Sequence, residues 1–320
     1  MTTIAKAERQ LAAGRAKVAD LLFRGISMFG AWTIIIILIG LGVMLTLSSL
    51  LAFQTFGVVD FVTGTVWDPV AGIYGALPYI VGTLLSSALA LLFATPIALL
   101  TAIYLAEIAP RRVALPLTFL IELIAAIPSV VIGLWGVFIL TPFLKDTIES
   151  FLTSTLGTTI PLFEGPPLGI GLFAAAVILA IMILPTIVSV SREVISSVPM
   201  AQREAMYALG ATRWEVVTKA VLPSARSGIA GAIILGLGRA LGETMAVTMV
   251  IGNAQALPTS LFDQAQTIAS KIATTFNEAS VGLQTSSLIA LGLILLVMTI
   301  GLNIIARLLV WRTSGAASGE

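Results

Sequence analysis

Two ionisable residues, Arg239 and Glu243, lie in a stretch that is otherwise apolar or rich in glycine. If this stretch is one helix, the two side chains are one turn apart on the same side. Ionisable groups at membrane depth cost about 2.5–3.5 kcal/mol each on insertion scales, so they persist mainly where they pair or line a polar path. A guanidinium binds oxyanion oxygens in a bidentate manner and keeps its charge. We therefore take this pair as the first candidate for a substrate path.

Glu243 needs its own explanation if the path carries an anion, because a carboxylate repels an anion. It can neutralise Arg239 while no substrate is bound, and it can accept a hydrogen bond from an anion that carries a proton, which a fully ionised anion does not offer. The alternative is that the pair only ties helices together. Gly238, Gly242 and Ala246 recur every fourth residue beside the pair and predict a small-residue face for close helix packing.

The composition predicts a polytopic membrane protein. Of the 320 residues, 58% are hydrophobic and 10% are charged, which lies outside the range of soluble domains. A helix that crosses the hydrocarbon core needs about 20 apolar residues. Six stretches meet this requirement, and we expect an all-α fold with a six-helix transmembrane domain over residues 26–312. The predicted spans are 26–51, 78–106, 113–141, 168–190, 228–252 and 283–310. A secondary transporter, one alternative, usually has about ten spans and repeated halves.

The distribution of basic residues predicts the orientation. Fourteen of the seventeen Lys and Arg residues lie in the N-terminal tail, at Arg111 and Arg112, in the segment 192–226, and at the C-terminal end. Cytoplasmic loops carry such an excess, so we expect both termini inside and the loops 52–77, 142–167 and 253–282 outside.

The two terminal segments have separate predictions. Residues 1–25 form either an amphipathic helix on the inner membrane surface or a frayed basic tail. Residues 313–320 form a cytoplasmic tail.

The sequence excludes several kinds of chemistry. It contains no cysteine and no histidine, so thiolate nucleophiles, Cys/His metal sites and Ser-His-Asp triads are excluded. It also lacks the phosphate-binding loop of ATPases. We expect no catalytic residue, metal or cofactor in this chain. Membrane lipid is an expected partner. Nucleic acid is not an expected partner, because the sequence has no basic stripe with interleaved aromatic residues.

Pro128 marks a second candidate region, in the predicted third span. It lacks a backbone donor and clashes with the preceding turn, so we expect a kink or break there. Freed carbonyls at membrane depth are tolerated only against protein or a wet cavity. Glu122, Pro128 and Ser129 are therefore either part of the substrate path or a packing kink with an accompanying hydrogen-bonding group.

The segment 192–227 between the fourth and fifth spans carries an ordered motif that is too polar to span a membrane. We expect a short helix from Glu204, a left-handed residue at Gly210, and a second short helix that Pro223 closes. The motif resembles the E-A-A-x-x-x-G-x9-I-x-L-P loop by which ABC importer permeases dock on their ATPase. The matching residues are Glu204, Ala205, Gly210, Leu222 and Pro223, whereas Met206 and Ala220 depart from the pattern. An ordinary amphipathic loop would explain the polarity but not this spacing.

Three further segments extend the resemblance over most of residues 70–310. They are Ile73-Tyr-Gly-Ala-Leu77, Ile121-Glu-Leu-Ile-Ala-Ala-Ile-Pro-Ser129 with Gly133-Leu-Trp-Gly136, and Gly236-Leu-Gly-Arg-Ala-Leu-Gly-Glu-Thr-Met-Ala-Val247 with Ile251-Gly-Asn253. Together they look like the PstC-type permeases of phosphate ABC importers.

This resemblance implies a type I ABC importer permease-like (MetI-like) fold in a bacterial cell membrane and inorganic phosphate as the substrate. It also implies a PstA-type sister permease, a PstB-type ATPase dimer that uses ATP and Mg, and a PstS-type phosphate-binding protein. An ABC permease for another oxyanion, sulfate or molybdate, is the alternative.

Overall fold

The computed structural model describes residues 2–157 and 159–315, with side chains in residues 23–157 and 159–311. Most of the described residues are helical, which confirms the predicted all-α class. The α-helices are α1 (Thr2–Phe56), α2 (Val58–Thr63), α3 (Leu77–Ile103), α4 (Arg111–Ala126), α5 (Ser129–Trp135), α6 (Thr141–Phe143), α7 (Ser150–Thr155), α8 (Leu172–Ser196), α9 (Met200–Ala208), α10 (Arg213–Val216), α11 (Leu222–Gly242), α12 (Met245–Val250), α13 (Ile268–Thr275) and α14 (Leu283–Gly315).

Wider and tighter turns complete the helices. The π-helical turns are Tyr104–Ile108, Gly136–Leu140, Leu144–Glu149 and Val217–Val221, and the 3-10 turns are Pro161–Phe163 and Phe276–Glu278. Two short strands, β1 (Trp67–Asp68) and β2 (Ile73–Tyr74), form an antiparallel pair in which Trp67 lies opposite Tyr74.

Six segments within the described residues are long and apolar enough to span a membrane, which confirms the predicted number. They are Phe23–Phe56, Leu77–Ile108, Ser129–Thr155, Leu172–Ser196, Arg213–Gly242 and Leu283–Trp311. The first, second, fourth and sixth overlap the predicted stretches along most of their length.

The predicted third and fifth spans are displaced. The prediction 113–141 joined two helices, because apolar residues continue across the break that separates α4 from α5 at Ile127 and Pro128. The span in the structure begins at Ser129, whereas α4 buries none of its residues within the chain. The predicted fifth span, 228–252, instead begins at Arg213 and ends at Gly242.

The predicted terminal segments are described only in part. Residues 2–25 belong to α1, which has no boundary at residue 25. Their side chains before residue 23 lie outside the described residues, so a helix on the membrane surface stays a prediction. Residues 316–320 and the side chains of the predicted C-terminal tail also lie outside them.

The core is built around α8. The packing of α3 along α8 is more extensive than that of any other pair of described elements. Ala90, Ala94, Ala98 and Ala102 recur every fourth residue of α3, and all four are completely buried. This spacing places them on one helix face, and small side chains let two helix backbones approach closely. We call these four residues the alanine seam. It holds α8 in the centre of the bundle, where α4, α11 and α12 also contact it.

Contacts between loops define two ends of the bundle. At one end, the Leu261 amide donates to the Leu162 carbonyl at 2.9 Å, and Lys271 Nζ lies 4.9 Å from the centroid of the Trp67 ring. At the other end, Glu107 forms an ion pair with Arg203 at 2.7 Å. The loops that the charge pattern assigns to opposite sides therefore cluster separately. We call these the outer end and the inner end, after the predicted orientation.

We predict that Ala94→Phe, in the alanine seam, lowers the free energy of unfolding by about 1–3 kcal/mol, because overpacking forces side chains and backbone to shift. Thermal unfolding of the purified chain in detergent measures the effect. Leu92→Phe is the matched control, because Leu92 lies on the same helix and is 66% exposed. Equal losses from the two substitutions would contradict the assigned seam.

Candidate functional site

Arg239 lies at membrane depth near the end of α11. Its side chain is exposed, and Nη1 donates a hydrogen bond to Thr186 Oγ1 at 3.2 Å. Thr186 is fourteen residues from the start of α8 and ten from its end, or about 21 Å and 15 Å along the helix. A guanidinium carries five N–H donors, so the contact with Thr186 leaves donors for an anion.

The predicted ion pair between Arg239 and Glu243 is not formed, and this prediction is wrong. Within the described residues no ion pair joins them, because α11 ends at Gly242 and Glu243 has extended backbone angles, φ −69° and ψ 130°. Glu243 instead accepts a long hydrogen bond, 3.4 Å, from the Ala246 amide through Oε1. Its half-buried carboxylate therefore belongs to the start of α12 rather than to the turn of Arg239.

The predicted small-residue face is also divided by this break. Among the described residues, nothing lies within 4 Å of the place that a Cβ would take at Gly238 or Gly242. Ala246 follows the break, is completely buried, and packs against Gly133, where a methyl group would lie 3.0 Å from its Cα. Gly238 and Gly242 thus border open space, whereas Ala246 packs against α5.

The glycines of α11 that do pack closely are Gly228 and Gly236, which the sequence reasoning missed. A Cβ would lie 2.4 Å from Val194 at Gly228 and 2.8 Å from Ile187 at Gly236. Their spacing of eight residues was only a weak signal, because it places the two positions about 80° apart around a helix.

The predicted break at Pro128 is confirmed in its geometry. Ile127 and Pro128 are both extended, with ψ 128° and 138°, and α5 begins at Ser129. The two breaks lie close to each other, because α5 packs against α12 through Gly133, Ala246 and Met249. Pro128 and Ser129 therefore lie near the helix break at Glu243.

Glu122 does not join this group. It is exposed on α4, and within the described residues no hydrogen bond or ion pair connects it with Arg239 or Glu243. Its part in a path stays a prediction.

The motif loop has the predicted turn at its centre. The helix α9 contains Glu204 and Ala205, both exposed, and it ends at Ala208. Gly210 has φ 81°, in the left-handed region that favours glycine. Thr212 then caps α10 in a capping box with Glu215.

Pro223 does not close a second helix, as had been predicted. The helical path continues from α10 through the turn Val217–Val221 into α11, with Leu222 and Pro223 as its first two residues. A π-helical turn shifts the hydrogen-bonding register of the helix. The helix therefore tolerates Pro223, which has no amide hydrogen to donate. One continuous helical segment therefore joins the loop to Arg239.

The family described as "Binding-protein-dependent transport system inner membrane component" matches residues 94–315. Curated relatives extend the match. A phosphate transport system permease protein PstC from Mesorhizobium japonicum is 44% identical over 96% of this chain and 94% of its own length. One of the same name from Pasteurella multocida is 48% identical over 92% of both chains. The chain belongs to this family of inner membrane components.

A solved structure agrees with the fold of this inner membrane component. A chain of a bacterial alginate ABC transporter, in complex with a pentasaccharide-bound periplasmic protein, has a TM-score of 0.57 and 20% identity. The match covers 84% of this chain and 88% of that chain. The predicted type I ABC importer permease-like fold is confirmed.

This inner membrane component holds its motif loop through a charged contact that the sequence reasoning missed. Arg203, on α9, pairs with Glu107 at the end of the second span, and both side chains are nearly buried, at 11% and 12% exposure. Arg203 also donates to the carbonyls of Ile195 and Val198, at the C-terminal end of α8. Arg213 donates to the Glu107 carbonyl. No local pattern predicts contacts between residues about a hundred positions apart.

A second missed feature is a buried lysine at the outer end. Lys271 is 3% exposed, and its Nζ lies over the rings of Trp67 and Tyr79. Burial lowers the pKa of Lys271 to about 8. The contact joins the hairpin β1–β2 to α13 and so ties two outer loops together.

We predict that Glu107→Ala lowers the free energy of unfolding by about 3–5 kcal/mol, because it leaves the Arg203 guanidinium buried without its counter-charge. Lys219→Ala is the control, because it removes a partner of the exposed Lys219–Glu215 pair. Exposed pairs contribute less than about 1 kcal/mol. Urea unfolding of the purified chain compares the two variants, and similar losses would contradict the role assigned to Glu107.

Proposed function

We propose that this chain is a transmembrane permease subunit of an ATP-driven importer of inorganic phosphate. It forms half of the translocation path in a bacterial cell membrane, with both termini cytoplasmic. The observation that carries the proposal is the exposed Arg239 guanidinium at membrane depth, in a chain whose curated relatives are named phosphate transport permeases over more than nine-tenths of its length.

The chemistry of the site supports an oxyanion substrate. Arg239 and Thr186 line a cleft of about 760 Å³ between α8, α11 and α14. Arginine cannot be neutralised by deprotonation, so its guanidinium keeps its charge in the cleft and can bind an anion. Glu243, which has no ion pair with Arg239, remains available to accept a hydrogen bond from a protonated phosphate.

The continuous helical segment supports mechanical coupling. Arg213–Gly242 comprises 30 residues, or about 45 Å, and carries Arg239 near one end. At its other end, the loop presents exposed apolar side chains to the inner side, with Leu209 at 83% and Trp214 at 72% exposure. Such residues in a polar loop suit a partner's groove. A partner that moves this loop therefore moves the helix of Arg239.

The partners follow from the same proposal. A PstA-type permease completes the path, and a PstB-type ATPase dimer docks on Glu204, Ala205, Leu209 and Gly210. A PstS-type protein delivers phosphate at the outer end. ATP and Mg bind the ATPase, and this chain binds no cofactor.

We predict that Arg239→Gln lowers ATP-driven uptake of labelled phosphate about ten- to a hundredfold. This corresponds to the loss of a charged hydrogen-bonding contact of about 1.5–3 kcal/mol. Uptake is measured in vesicles that hold the complete complex, with sulfate as competitor. Arg239→Lys keeps the charge without the planar fork and should retain an intermediate rate.

Arg112→Gln is the control, because Arg112 is exposed in the predicted inner loop and away from the cleft. Full uptake by assembled Arg239→Gln would refute the proposed path. Equal competition by sulfate would instead assign the chain to another oxyanion.

A further inference from the structure

The cleft at Arg239 contains a second arginine that the proposed path does not use. Arg307, on α14, lines the same cleft, together with Asn303. These two residues are one helical turn apart and therefore on the same side of α14. Asn303 lies within the sixth span, and Arg307 lies four residues before the end of that span at Trp311.

The two arginines enter the cleft at different depths. The helix α11 starts at the inner end and α14 starts at the outer end, so they run in opposite directions. The cleft extends from Gly231 to Arg239 on α11 and from Ile300 to Arg307 on α14, which is about 12 Å and 10 Å of helix. Arg307 therefore lies at the inner side of the cleft, as Gly231 does on α11, whereas Arg239 lies at its outer side.

The wall of the cleft opposite Arg307 is open. Among the described residues, nothing lies within 4 Å of the Cβ position at Gly231 or Gly238, whereas Gly228 and Gly236 on the same helix meet Val194 and Ile187 closely. One face of α11 thus packs on α8, and the other leaves space beside the arginines.

The polar groups fit a tetrahedral oxyanion. Asn303 Nδ2 donates to the Thr299 carbonyl at 2.9 Å, which leaves the second amide hydrogen of Asn303 for another acceptor. The Arg307 guanidinium is exposed and supplies a charged, planar set of donors.

We propose that Asn303 and Arg307 form a second phosphate-binding position, which receives the anion after it leaves Arg239 on the way to the inner end. This inference rests on the proposed function. It divides the passage into two steps, because the anion leaves the first cation for a second cation in the same cleft. A lipid headgroup offers the same phosphate chemistry to Arg307, and the experiment separates the two sources.

The test uses the complete complex with Gly231→Cys in this chain, which has no natural cysteine. Inorganic phosphate should slow the labelling of this cysteine by a neutral maleimide at least threefold, both in the parent and with Arg112→Gln. Added Arg307→Gln should abolish the protection. Sulfate at the same ionic strength controls for salt.

Labelling is repeated in detergent without lipid and in vesicles that contain phosphatidylglycerol. Protection by inorganic phosphate in both settings supports the second position. Protection that requires phosphatidylglycerol and not inorganic phosphate would overturn the second phosphate-binding position in favour of a lipid site. Absence of protection in either setting would also overturn that position.

Transport provides the independent readout. Arg307→Gln in the chain without added cysteine should lower phosphate uptake about tenfold at equal amounts of assembled complex, while Arg307→Lys retains part of it. Full uptake by Arg307→Gln, together with loss of uptake by Arg239→Gln, would refute the second position alone. Full uptake by Arg239→Gln would refute the proposed function itself.

Discussion

The structure depends on the close contact between α3 and α8 at the alanine seam. Four completely buried alanines let the two helix backbones pack closely against each other. This contact holds α8 in the centre of the bundle. The helix α11 packs against α8 through Gly228 and Gly236. Small residues therefore allow close packing on α8 by both α3 and α11. A rigid centre matters here, because broken helices are arranged against it.

At each of those breaks, an uninterrupted helix would provide hydrogen-bond partners for all backbone N–H and C=O groups, and the break leaves some of these groups without helical partners. In hydrocarbon, each unpaired backbone group costs several kcal/mol, so irregular backbone at membrane depth must contact protein or water. The chain accepts this at Pro128 and at Glu243, and packs α5 against α12 directly after both breaks. Arg239 lies one turn before the second break. Charge, cleft and interrupted helices thus coincide in one region, which is the region of the proposed anion path.

The sequence predicted the parts of this arrangement that depend on local chemistry. Six apolar stretches, the break at Pro128 and the left-handed Gly210 follow from hydropathy, from the missing proline donor and from glycine's conformational freedom. The end of α11 at Gly242 was missed, because Gly-Glu-Thr carries no proline and the apolar pattern continues into α12. The same continuity hid the true start of the third span. Contacts such as Glu107–Arg203 depend on how distant segments meet, and single-sequence periodicity contains no information about that.

The central claim is that the chain around Arg239 and the break at Glu243 lines a wet path. Reaction of single cysteines with a water-soluble, charged thiol reagent in the assembled complex tests it most directly. We expect cysteines at Gly238, Gly242 and Thr244 to react, and phosphate to slow their reaction, while cysteines at the completely buried Ala246 and Val247 do not react. Labelling that continued with helical periodicity through residue 250, or no labelling at 238–244, would contradict it.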